Sequence, residues 1–296
     1  MAALTVDRKK GLSIAALGGL ALSVDIPLVR LTEGDMWSVQ FLRSAIVVAV
    51  TLLIWLLARV IFKKRIELVP GGEGWAVLAI YGVSTFLFFY SVYATTTANL
   101  VFILAFNPMF GALFGWMMLG EKPKPATFLA MIAMTIGVFI IVQDGLSGGH
   151  FYGDLSALFA AMSIALAITI TRKSGKEMGF AALISAIVPA MIAGIIVLQQ
   201  GGLNVDVPGW IILNGTILVP IAFFCLALAP SFIPGAQVGM FYLLETILAP
   251  IWVWMIFREV PSSQTLLGGG ILLAALILHS IWELRQEGRP QTSTPG

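Results

Sequence analysis

Residues 236–261 read AQVGMFYLLETILAPIWVWMIFREVP, an apolar stretch about one membrane thickness long with a carboxylate, Glu245, near its middle. An earlier stretch, residues 98–123, is built the same way: ANLVFILAFNPMFGALFGWMMLGEKP. Both end in Trp-Met-x-x-x-Glu-x-Pro, as Trp116, Met117, Glu121 and Pro123 and then as Trp254, Met255, Glu259 and Pro261. Every matched pair is 138 positions apart. At that offset Asn99 pairs with Gln237, and Asn107 with Glu245. The chain therefore reads as two copies of one membrane unit, each with a polar stripe on an equivalent helix, the arrangement expected of a secondary transporter.

Working outward, the rest of the chain has the same character. Of 296 residues, 59% are hydrophobic and 11% charged, against about half and about a quarter in a soluble domain. Ten all-α spans are expected, at 11–30, 37–61, 74–93, 97–119, 126–143, 153–171, 179–198, 209–229, 235–257 and 264–283. They divide into a short N-terminus (1–10), a first five-helix repeat (11–143), a second (153–283) and a tail (284–296) whose Pro- and Ser/Thr-containing end reads as disordered. The basic residues before the first apolar run faintly suggest a signal peptide. That reading is set aside because the run continues to Val29 and its removal would break the repeat.

Lys and Arg fix the expected orientation. With the N-terminus cytoplasmic, fourteen of the seventeen fall on the cytoplasmic side; Arg30 and Arg258 fall outside and Arg43 lies within span 2. Both termini are expected in the cytoplasm. Five spans per repeat is an odd number, so the second copy must enter the membrane from the opposite side. This is an inverted-topology repeat, which can close one mouth while opening the other.

The candidate site lies where polar groups enter the apolar spans. An ionisable side chain at mid-membrane costs roughly 2.5–3.5 kcal/mol on insertion scales, so Glu245 must face protein or water. Gln237, Phe241 and Glu245 share one face of span 9, and Asn99, Ile103 and Asn107 one face of span 4. The two stripes are expected to line a cavity between the halves, with interhelical hydrogen bonding as their ordinary alternative role. Pro108 and Pro250 sit on these two spans, and Pro189 and Pro220 interrupt spans 7 and 8. Asp25 and Arg43 read as a neutralising pair, structural or gating. Tyr81 and Phe88 of an aromatic-rich span 3, with Tyr242 of span 9, are candidates to meet an apolar solute. The lack of a mid-membrane Lys/Arg cluster argues against phosphorylated substrates. One cysteine, Cys225, excludes an intrachain disulfide and a Cys-rich metal site. No Walker loop, HExxH motif or nucleophile elbow is present, so no enzyme activity, cofactor, metal or nucleic-acid partner is expected.

The pattern resembles the drug/metabolite transporter superfamily, in particular its EamA-type ten-helix exporters. The resemblance rests on Pro108 with Leu119-Gly120-Glu121, on Glu245 and Glu259, and on Arg43. Where family members often carry Glu-Pro and Leu-Gly-Glu, this chain has Glu245-Thr246 and Phe257-Arg258-Glu259. Within the family the chain is similar to bacterial aromatic amino-acid exporters. That likeness implies an inner-membrane exporter of small amphipathic solutes such as phenylalanine or methionine. Their apolar part would meet the aromatics and their ammonium Glu245, with proton exchange as a possible driving force. Two other readings stay open: a carrier of other metabolites or cationic drugs on the same scaffold, and a membrane sensor or assembly subunit that moves nothing.

Overall fold

The structure is a computed structural model that describes residues 8–62, 67–229, 232–233 and 235–287. The basic link at 63–66 and the tail from 288 onward lie outside the described residues. The protein is an all-α polytopic membrane protein. Among the described residues nine helical spans are long and apolar enough to cross a bilayer. The tenth is Gly235–Phe257, whose Phe241–Phe257 portion forms a shorter apolar helix. Residues turned away from the bundle are large and apolar: Leu129 is 69% exposed, Leu278 67% and Leu198 80%, a belt suited to lipid rather than water.

Four spans run as expected within a few residues: span 2 as Met36–Phe62, span 3 as Gly71–Ala94, span 9 as Gly235–Phe257 and span 10 as Ser263–Glu287. Span 5 continues to Gly148 through part of the expected link, and span 6 (Phe151–Ser174) takes Arg172 and Lys173 into its last turn. The other four are interrupted. Span 1 is Arg8–Ser23 then Asp25–Leu31; span 4 is Thr97–Leu104 then Asn107–Leu119; span 7 is Gly179–Ile184 then Ile187–Gln199. Span 8 is Pro208–Leu213 and Val219–Leu228, joined by a π-helical turn at Asn214–Leu218.

Proline accounts for all four. A proline offers no N–H to the carbonyl four residues back and crowds it. The residues four before Pro27, Pro108 and Pro189 are Ser23, Leu104 and Ser185, where the first segments end; Thr216, four before Pro220, lies inside the π turn. Tighter three-residue bonds bridge the gaps, from Phe106 N–H to Ile103 O and from Val188 N–H to Ser185 O, both 3.0 Å. Pro250 is different, for it sits within an unbroken helix.

The principal pairings are span 3 on 6, span 8 on 1, span 4 on 6, span 9 on 1, span 5 on 10 and span 2 on 7. Exchanging each span n with span n+5 turns this set into itself. Glycines permit the closest crossings. A Cβ on Gly137 would lie 2.6 Å from the Gly268 carbonyl, and one on Gly268 equally close to the Gly137 carbonyl, so spans 5 and 10 cross backbone to backbone. The main buried cluster draws on spans 1 to 6 and 8 to 10, through residues such as Val29, Phe89, Ile103, Met134 and Leu272.

Candidate functional site

Charged residues inside the bundle gather at two of the interruptions. The break at Val24 places Asp25 in the first turn of the second segment of span 1, and the π turn places Asn214 on span 8. Arg43 of span 2 reaches both. Its Nη2 donates to the two Asp25 oxygens at 3.0 Å each, and its Nε to Asn214 Oδ1 at 2.9 Å. Asn214 Nδ2 in turn donates to Asp25 Oδ1 at 2.6 Å. The guanidinium lies 5.2 Å from the Phe89 ring centre. Asp25 and Arg43, expected as a pair, are one; Asn214 completes a triad that the sequence did not announce. Glu245 lies within electrostatic reach of both charges.

Asp25, Arg43 and Glu245 form the floor of a cavity of about 1000 Å³, at the upper end of the volumes that hold drug-sized ligands, with Asn214 behind them. Tyr81, Phe88, Phe223 and Tyr242 line it, with Asn107 and Pro108 at the break in span 4. Asn107 Nδ2 donates to the Ala161 carbonyl at 2.8 Å, so its amide also holds span 4 to span 6. His279, which meets Thr127 Oγ1 at 2.9 Å, lines the cavity from span 10. With one cation against two carboxylates, the floor carries one uncompensated negative charge when all three groups are ionised.

The remaining expected residues are placed elsewhere. Ile103 is fully buried in the main core cluster. Phe241 packs against a separate cluster of Ala15, Leu226, Ala229 and Ile233. Pro250 is not on the cavity wall. The side chain of Gln237 lies outside the described residues. Asn99 turns away from the cavity and donates to both oxygens of Asp154, at 3.1 and 3.2 Å, while its own oxygen accepts from Thr265 Oγ1 at 2.6 Å. Thr95 Oγ1 also donates to Asp154, whose carboxylate is fully buried. The stripe of span 4 is therefore split by its own break: Asn107 belongs to the cavity and Asn99 to a structural network.

The two ends of the cavity differ. One is its mouth, flanked by Glu121, Lys122, Lys124 and Arg172. There Arg172 Nη2 donates to both Glu121 oxygens, at 2.8 and 3.0 Å, with both side chains about half exposed. The other end is shut by the repeat partner of Glu121, Glu259, which is ion-paired to Arg30. Glu259 Oε1 accepts from the Thr97 N–H at 2.7 Å. Arg30 Nη2 reaches the Val92 and Thr95 carbonyls at 3.3 and 3.1 Å. This closure ties together spans 1, 3 and 4 and the loop after span 9. The residue before each glutamate has a left-handed backbone. In one copy it is Gly120 (φ 74°), which adopts this freely; in the other it is Arg258 (φ 59°), which does not.

Comparison with known proteins agrees with the geometry. Residues 9–143 match the EamA-like transporter family. The pseudopaline exporter CntI of Pseudomonas aeruginosa, strain UCBPP-PA14, is 27% identical over 289 residues, covering 92% of this chain and 96% of the relative. Its counterpart in strain ATCC 15692 matches to the same extent. A protein known from a crystal structure superposes with a TM-score of 0.62 over 95% of this chain and all of its own, at 16% identity, a likeness of fold alone. Over residues 9–143 the chain thus resembles the EamA-like transporter family, and over nearly its whole length it is similar to these exporters.

Proposed function

We propose that the protein exports small amphipathic solutes bearing an ammonium group across a bacterial inner membrane, by alternating access around the cavity just described. Aromatic and other hydrophobic amino acids, such as phenylalanine and methionine, are its first candidates. The observation that carries this reading is the floor: Asp25, Arg43 and Glu245 set two carboxyl groups against one cation in a cavity walled by Tyr81, Phe88 and Tyr242. An ammonium would neutralise Glu245 while an apolar side chain packs on the rings.

The excess of Lys and Arg at the mouth supports a cytoplasmic side for that end by the positive-inside rule. The solute then enters from the cytoplasm, and the Arg30–Glu259 closure faces outward. On this reading 11–143 and 153–283 are the two inverted repeats. Rocking one against the other closes the Glu121 end as the Glu259 end opens. The volume of about 1000 Å³ exceeds what one phenylalanine needs, and the end-to-end match to pseudopaline exporters favours a second reading in which the solute is larger, with pseudopaline itself to be tested.

Flux in proteoliposomes decides between them. Phenylalanine, methionine and pseudopaline are compared, with and without a pH gradient, in the wild type and in Glu245→Gln. Selective, saturable flux that falls in the variant supports the assignment, and no flux of any solute refutes it. Equal flux in all four combinations of gradient and variant refutes proton coupling through Glu245.

A further inference from the structure

Five buried side-chain polar atoms have no hydrogen-bond partner among the described residues: Ser44 Oγ, both amide atoms of Gln40, Thr97 Oγ1 and Asp35 Oδ2. Leaving such an atom dry costs about 1–3 kcal/mol each, so native proteins keep few of them. Here they are not scattered. Ser44 lines the cavity itself, and Gln40 and Thr97 stand one turn beyond its lining residues on spans 2 and 4.

Their positions continue the cavity wall. On span 2, Arg43, Ser44 and Val47 line the cavity. Gln40 stands at i−3, i−4 and i−7 from them, on the same face, about 6 Å further toward the shut end. On span 4, Val101 and Leu104 line the cavity, and Thr97 stands at i−4 and i−7, again one turn beyond. Gln40 is wholly buried and Thr97 1% exposed. On spans 1 and 9 the residues one turn beyond Asp25 and Glu245 are Val29 and Ala249, both wholly buried in the main cluster. Two apolar faces thus seal this region, and two faces carry hydrogen-bonding groups that the sealed form leaves unused.

We propose that Gln40 and Thr97 form a second binding site for the solute, the outward half of the path, which takes up the solute's polar end and its water once the Arg30–Glu259 closure opens. This rests on the export reading above. The chemistry differs from that of the floor. The floor is charged and holds an ammonium; this half offers only uncharged amide and hydroxyl groups, which hydrate a zwitterion without binding it tightly. That difference suits loading on one side and release on the other.

The closure tests the proposal directly. Single cysteines replace Gln40 or Thr97 in a Cys225→Ser background, and a charged, membrane-impermeant thiol reagent is added outside right-side-out vesicles. Asn204→Cys, at the exposed far end, is the positive control, and Leu129→Cys, on the lipid face, the negative one. Labelling at 40 and 97 is expected to be slow with the closure intact and about tenfold faster when Glu259→Gln or Arg30→Gln is added, the effect of shifting a two-state equilibrium by one decade. Unchanged rates at both positions, with the control at 204 reacting, overturn it.

A second measurement covers variants that fold poorly. Gln40→Met with Thr97→Val removes the unused polar atoms while keeping their shape. It is expected to raise the melting temperature of the purified protein and to slow flux with solute binding from the cytoplasmic side retained. A lowered melting temperature would show that those atoms are satisfied in the sealed state and overturn the site. Faster labelling without flux of any solute would leave this site standing and sink the export reading instead.

Discussion

Replacing Asp25 by asparagine strips the negative charge from the best-connected group in the cavity floor. Its carboxylate accepts two bonds from Arg43 at 3.0 Å and one from Asn214 at 2.6 Å, and the residue is 5% exposed. Removing one partner of a buried ion pair costs roughly 3–5 kcal/mol, because the other charge stays buried without its counter-ion. Arg43 keeps its bond to Asn214, so the lower end, about 3 kcal/mol, is expected. Arg43→Gln leaves Asp25 with Asn214 alone and should cost about as much. The double variant carries neither charge and keeps amides able to bond Asn214, so it should cost only about 1 kcal/mol. The coupling in this cycle is then about 5 kcal/mol, far above the error of additivity for independent sites. At about 2–4 °C per kcal/mol, each single variant should melt about 6–12 °C below the wild type and the double about 2–4 °C below. Thermal unfolding in one detergent, checked by unfolding in rising SDS, measures the cycle. If the double variant loses the sum of the two singles, Asp25 and Arg43 are not coupled and the argument for the floor fails.

Other contacts yield smaller, separable effects. Asp154 accepts from Thr95 and Asn99 and makes no salt bridge among the described residues. Asp154→Asn should therefore cost about 1 kcal/mol and Asp154→Ala, which leaves both donors dry, about 2–4 kcal/mol, read from the same melts. Gly268→Ala forces a methyl to within 2.6 Å of the Gly137 carbonyl and should destabilise by about 1–3 kcal/mol through the contact of spans 5 and 10. The pair Glu121–Arg172 is about half exposed, so Glu121→Gln should move the melting temperature by less than about 2 °C.

Much of this could be read from the chain. Ten spans followed from apolar length, and one motif repeated at 138 positions singled out spans 4 and 9. Five of the expected solute-contacting residues, Tyr81, Phe88, Asn107, Tyr242 and Glu245, line the cavity with Asp25, Arg43 and Pro108. What could not be read was local geometry. A helical face predicts neighbours only while the helix continues, and span 4 breaks between Leu104 and Asn107, which sends Asn99 to Asp154 instead of the cavity. Pro27 gave the same warning for span 1 as Pro108 did for span 4, and its consequence, the new first turn that holds Asp25, was legible in principle. Asn214 gave none, for a lone amide in an apolar run is equally at home as interhelical glue. The closure at Arg30 depends on side chains more than 200 positions apart, which no spacing rule brings together.

The left-handed backbone at Arg258 has a thermodynamic meaning. Gly120 takes up that torsion without strain, whereas a side chain there costs roughly 1–2 kcal/mol. One rim is thus built with a faint spring in it and the other without. A single arginine in place of glycine thus stores about 1–2 kcal/mol at that rim, and Arg258→Gly should raise the melting temperature by about 2–8 °C.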